Sequence, residues 1–174
     1  MNIIGLDPGN EKSAYVVYED GGKVLSHGIV TNKILLNRIT TSDPNGSMFF
    51  EPFGIDEMVI EMVASYGMAV GKTVFETCVW IGRFIQAWQP KQATKVYRKD
   101  VKMHLCNSMR AKDGNIRQAL LDRYPATGGG KCPQIGIKSK PGPLYSVSKD
   151  VWSALAVAVY WDDVINKESN RTKR

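Results

Sequence analysis

The chain has 174 residues, 43% of them apolar and 23% charged, a composition that excludes disorder over most of its length and fits one domain able to bury its own core. Its 23 Lys and Arg against 17 Asp and Glu give a net charge of +6, which favours polyanionic partners, nucleic acid ahead of an anionic membrane surface. The three cysteines, Cys78, Cys106 and Cys132, form no Cys-x-x-Cys pair and argue against a zinc site and a disulfide framework. A reducing, cytoplasmic setting is expected. The N-terminus lacks the marks of a signal peptide, and its apolar run is too short to span a bilayer, so no membrane partner is expected.

Asn2 to Leu6 reads as a buried central strand, ended by the turn Asp7-Pro8-Gly9-Asn10. Ser13 to Glu19 and Lys23 to Val30, joined by Gly21-Gly22, complete an antiparallel meander with it. Residues 32–40 suit a short helix, Ser42 to Gly54 a loop, and Glu57 to Met62 another buried strand. From Ala69 to Trp88, apolar residues at Val70, Val74, Cys78, Ile81, Ile85 and Trp88 alternate steps of four and three, the mark of a helix that Pro90 stops. A short strand at Ala93 to Val96 leads to helical segments near 98–106 and 114–123. Tyr124 to Pro143, rich in Gly, Pro and Lys, reads as a mobile loop. The last helix, Ser148 to Ile165, is apolar nearly all round and predicts burial against a sheet; the tail 167–174 is basic and expected to be disordered. The sum is an α/β fold with a mixed sheet and helices on both faces, in a domain of residues 1–166.

Three acids stand where stability does not require them. Asp7 and Glu61 each end an apolar strand, so two parallel neighbours would bring them to one carboxyl edge, where open sheets place ligands. Asp150 opens the last helix, which could dock at the same edge. Such a cluster repels itself and is stable mainly with divalent cations; an oxygen-only set favours Mg²⁺ or Mn²⁺, the ions of phosphodiester hydrolysis. Plainer readings exist for each: Asp7 as a turn former, Glu61 paired with a buried Lys or Arg, Asp150 answering the helix dipole.

Ile3-Ile4-Gly5-Leu6-Asp7-Pro8-Gly9, Val59-Ile60-Glu61 and Lys149-Asp150-Val151-Trp152-Ser153-Ala154-Leu155-Ala156 together resemble the RuvC family of Holliday junction resolvases. The resemblance implies an RNase H-like fold with a mixed five-stranded sheet, a homodimer, and Mg²⁺-dependent nicking of four-way junctions in DNA recombination and repair. It implies two-metal hydrolysis of the phosphodiester, with Asp7, Glu61 and Asp150 as catalytic carboxylates that hold the two ions. The family's last helix carries a second ligand three residues after the first, and Ser153 stands there as a candidate metal ligand, though its neutral oxygen binds Mg²⁺ far less well than a carboxylate. Asp162 and Asp163 are poor substitutes, about 18 Å from Asp150 along a helix. Lysines that hold DNA phosphates in the family match Lys102 and Lys112, with Arg98, Lys99 and Arg110 as further candidates; a solvated helix face explains any one of them equally well. An aromatic that helps open the junction is absent at Ala64; Tyr66, two residues on, is the nearest candidate, and packing explains it as well. The helix seam from Ala69 to Trp88 suits a dimer or simple core burial. The competing functions are a branched-DNA-binding protein that has lost cleavage, an actin-like ATPase lobe, and a nuclease of RNA or RNA–DNA hybrids.

Overall fold

The computed structural model describes residues 1–40, 53–65, 67, 69–88 and 91–166. Three strands open the chain: β1 (Asn2–Asp7), β2 (Lys12–Glu19) and β3 (Lys23–Thr31). Helix α1 (Asn32–Thr40), strand β4 (Ile55–Met62), helix α2 (Lys72–Ala87) and strand β5 (Ala93–Tyr97) follow. Then come α3 (Arg98–Cys106), α4 (Asp113–Leu121), a two-stranded hairpin of β6 (Gly136–Ile137) and β7 (Lys140–Pro141), and α5 (Val151–Tyr160). The five long strands form one mixed sheet in the order β3-β2-β1-β4-β5, antiparallel from β3 to β1 and parallel from β1 through β4 to β5.

Strand alternation divides the core between the two faces of this sheet. Ile3, Val16, Tyr18, Val59 and Val96 point to one face, under α3, α4 and α5. Ile4, Leu6, Tyr15, Val17, Met58 and Ile60 point to the other, under α1 and α2. Helix α5 is buried along nearly its whole length, as its all-round apolar sequence predicts.

The departures from expectation are local. The last helix is α-helical only over 151–160 and widens into a π-helical turn, Trp161–Asn166. There Asp162 accepts hydrogen bonds from the Tyr18 hydroxyl (3.2 Å) and the Gly21 amide (3.1 Å), and Asp163 pairs with Arg123 (2.6 Å) and His104 (2.7 Å). In α2 the buried stripe is Thr77, Ile81 and Phe84, while Cys78 of the expected seam is exposed. The Gly- and Pro-rich stretch after Tyr124 is not a free loop. Gly128 and Gly129 donate to the carbonyls of Pro133 (2.8 Å) and Lys140 (2.9 Å), and Gly142 and Leu144 donate to Ile135 and Gln134 (both 2.9 Å). Glycine is needed at this crossing: a Cβ on Gly128 or Gly142 would meet backbone atoms at 2.6 and 2.3 Å. The tail at 167–174 lies outside the described residues, as does most of the loop expected over 42–54. No helix among the described residues is long and apolar enough to cross a membrane.

Gly5 sets the approach of α5 to the sheet. A Cβ there would lie 2.6 Å from the Ala154 carbonyl oxygen and 3.1 Å from the Ala158 Cβ, so any side chain pushes α5 outward. Gly5→Ala is expected to destabilise the fold by about 1–3 kcal/mol, the usual cost of overpacking a filled core. Urea denaturation would measure it; an unchanged midpoint would mean that α5 adjusts freely.

Candidate active site at the carboxyl edge of the sheet

The parallel strands β1, β4 and β5 end side by side. Leu6 pairs with Ile60 and Glu61 with Val96, so the next residues along, Asp7 on β1, Glu61 on β4 and Arg98 just after β5, emerge at one edge. This is the edge at which open α/β sheets bind ligands. The turn after Asp7 is pinned by a buried polar network. Asn32 donates to the Gly9 carbonyl (2.9 Å) and accepts from Ser13 (2.6 Å), and the Ser13 oxygen accepts the Gly9 amide (3.3 Å). Ser13 and Asn32 are fully buried, and nothing in the sequence pattern marked them as supports of Asp7.

Arg98 lies among the acids. Its Nη1 donates to Glu61 Oε2 at 3.3 Å and to Ser153 Oγ at 2.9 Å, and its Nη2 to Asp113 Oδ1 at 2.5 Å. The Glu61 side chain is 11% exposed and that of Arg98 26%. The ion pair therefore sits where solvent screening is reduced. It matches the plainer reading of Glu61 as the partner of a buried cation. Asp113, at the first position of α4, escaped sequence reasoning because an acid there reads as a response to the helix dipole.

Burial pushes the Asp7 carboxyl up to about 7, with the charges of Glu61 and Asp150 adding to the rise and Arg98 and a hydrogen bond from Ser153 opposing it. Burial also raises Glu61, against the lowering influence of Arg98. Asp150 stands at the N-terminal cap of α5, exposed and with no side-chain capping bond, and reaches Asp7 through its charge. Ser153, one turn on, links Arg98 to Asp7.

Among the described residues no three His, Cys, Asp or Glu side chains are gathered as a ready cage for a metal ion. The donor chemistry still suits Mg²⁺, which is commonly held by one or two carboxylates with water and substrate phosphate completing the shell. Asp7 and Glu61 could provide two such oxygen ligands in a largely buried place, with Asp150 at the rim.

A cleft of about 300 Å³ opens beside the acids, lined by Arg98, Asp113, Arg117, Lys149, Asp150 and Ser153 among others. Arg117, whose guanidinium stacks over Trp152 at 5.3 Å, and Lys149, the residue before Asp150, add positive charge to the cleft. Of the expected phosphate contacts, Lys102 is half-buried one turn from Arg98 and close enough to lower the Glu61 carboxyl, while Lys99, Arg110 and Lys112 are exposed. Arg98 itself turns toward the acids. Tyr66 lies outside the described residues. A larger cavity of about 740 Å³, lined by Tyr18, Asp20, Arg123 and Asp162 among others, is at the opposite edge. Asp162 and Asp163 are engaged there, away from the candidate site.

The sheet order, the helices on both faces and the acids at the carboxyl edge define an α/β fold of the RNase H-like class. Two solved structures are similar to the chain along most of its length. Thermus thermophilus RuvC matches with a TM-score of 0.62 at 15% identity, covering 94% of this chain and 96% of that one. Thermus thermophilus RuvC in complex with Holliday junction substrate matches with a TM-score of 0.61 at 15% identity, covering 92% of each. The fold is therefore RuvC-like. No protein-family model matches the chain, and no curated protein matches it.

A carboxyl raised in the folded state binds its proton more tightly there than in the unfolded chain. The stability that Asp7 contributes is thus fully present below its unfolded value, near 3.9, and is lost as pH rises through about 7. In chelator, melting temperature should fall from pH 5 to pH 8 more steeply for the wild type than for Asp7→Asn, the difference amounting to a few kcal/mol at most. Parallel curves would show that Asp7 is not buried as described.

Proposed function

We propose that the chain is a magnesium-dependent, structure-selective endonuclease that nicks four-way junctions and related branched DNA, a crossover junction resolvase acting in DNA recombination and repair. The observation that carries this reading is the meeting of Asp7 and Glu61 at the carboxyl edge of parallel strands, beside a cleft edged with Arg117 and Lys149. The RuvC-like fold and the basic charge of the chain support it.

Bound Mg²⁺, or Mn²⁺ in its place, would supply the Lewis acid that polarises the phosphodiester and makes water a competent nucleophile. Asp7 and Glu61 would hold it, with Asp150 completing the set from the helix terminus. Arg98 and Ser153 keep these carboxylates from splaying apart under their own repulsion. Lys102, Lys112, Lys99 and Arg110 would draw the DNA backbone in without regard to sequence. Cleavage of the P–O3′ bond leaves a 5′-phosphate and a 3′-hydroxyl.

The second chain of a homodimer would cut the opposed strand. Helix α2 offers a face for it: Phe75 and Val79, one turn apart, are 63% and 62% exposed on the side away from the core. Phe75→Arg with Val79→Glu should give a monomer in analytical ultracentrifugation, and a dimer that survives both changes would exclude this face.

A branched-DNA-binding protein without cleavage is the second reading, favoured by the neutral Ser153 and by the absence of a three-acid cage among the described residues. Labelled four-way junctions incubated with and without Mg²⁺, beside linear duplex and Asp7→Asn, separate the two. Paired, metal-dependent nicks with 5′-phosphate ends are expected on junctions, with at least a hundredfold loss in the variant (about 3 kcal/mol). Tight junction binding without nicks in either metal would establish the second reading instead.

A further inference from the structure

The guanidinium of Arg98 is held from three elements at once: Glu61 on β4, Ser153 on α5 and Asp113 on α4. Each bond restrains it separately, so its charge is fixed against Glu61 and Ser153, not free to swing into solvent. Ser153 occupies the position at which the family resemblance implies a ligand for a second ion. Its oxygen is neutral, and it is already engaged by Arg98 and Asp7. A second divalent ion at Ser153 would find no carboxylate of its own there and would face a fixed positive charge at hydrogen-bonding distance. Arg98 and one divalent ion offset three of the four negative charges of Asp7, Glu61, Asp150 and Asp113, and Asp113 is largely exposed to solvent.

We propose that Arg98 takes the place of a second metal ion, so that the site binds one divalent ion per chain and Arg98 stabilises the charge developing on the phosphodiester. The inference rests on the nuclease reading. Water adds across the P–O3′ bond: its oxygen forms the new bond to phosphorus and one of its protons passes to solvent. The 3′-oxygen leaves with the electrons of the broken bond and takes a proton. Arg98 stays protonated throughout and supplies hydrogen bonds and charge to the oxygens that become more negative. Asp113 is a positioning residue that holds the second arm of the guanidinium.

Counting Mn²⁺ on the full chain by electron paramagnetic resonance, without DNA, tests the stoichiometry directly. One ion per chain is expected for the wild type and two for the double variant Arg98→Ala/Ser153→Asp, which removes the charge and restores a carboxylate. Arg98→Ala alone should bind Mn²⁺ about tenfold more tightly, because a cation competing for the acids is gone. It should also nick junctions about a hundredfold more slowly at saturating DNA, with Arg98→Lys recovering part of the rate. Two ions bound by the wild type, or wild-type nicking by Arg98→Ala, would overturn the proposal. The wild-type count stands even where a variant fails to fold. One ion bound without any nicking would sink the nuclease reading while leaving the count intact, and no ion bound would sink both.

Discussion

Two carboxylates at the ends of adjacent buried strands repel each other and cannot be fully solvated, and the site depends on how that charge is balanced. The guanidinium of Arg98 does so in part, reaching Glu61 directly and Asp7 through its field and through Ser153. The balance is incomplete, since Asp7 remains well above the usual carboxylate range. A residual negative charge in a partly desolvated place would attract a cation, which ties the instability of the cluster to the proposed metal binding.

That arrangement rests on the packing of α5. Because position 5 has no side chain, the α5 backbone comes against β1, and the N-terminal end of the helix carries Asp150 and Ser153 to the carboxyl edge. On the other side, the Gly9, Ser13 and Asn32 network fixes the turn that follows Asp7. The acids are thus placed by a filled core and a satisfied polar network, both of which tolerate little displacement.

Most of the elements were legible in the chain because their signals are local. Period-two alternation and apolar runs marked the strands, the four-and-three spacing marked α2, and the all-round apolar character of 151–161 marked a buried helix. Errors came where local signals mislead. A Gly- and Pro-rich stretch reads as a loop whether or not its backbone folds back on itself, and Gly128 and Gly142 are small because two chain segments cross there. The π-helical turn was illegible for a similar reason: Tyr18, Gly21, His104 and Arg123, which hold its aspartates, are distant in sequence.

By itself the sequence determined the order of strands and helices, the two acids that end buried strands, the departure at Ser153 and the basic character of the surface. Each of these follows from residue type and spacing along a few turns of chain. Only the tertiary structure decided that Arg98 turns inward to Glu61, Ser153 and Asp113, that Asp150 stands at the rim, and that Arg117 and Lys149 edge the cleft. The physical reason is distance along the chain. Arg98 meets residues 37 and 55 positions away, and which of several cations reaches an acid depends on strand register and helix docking, which no local pattern encodes.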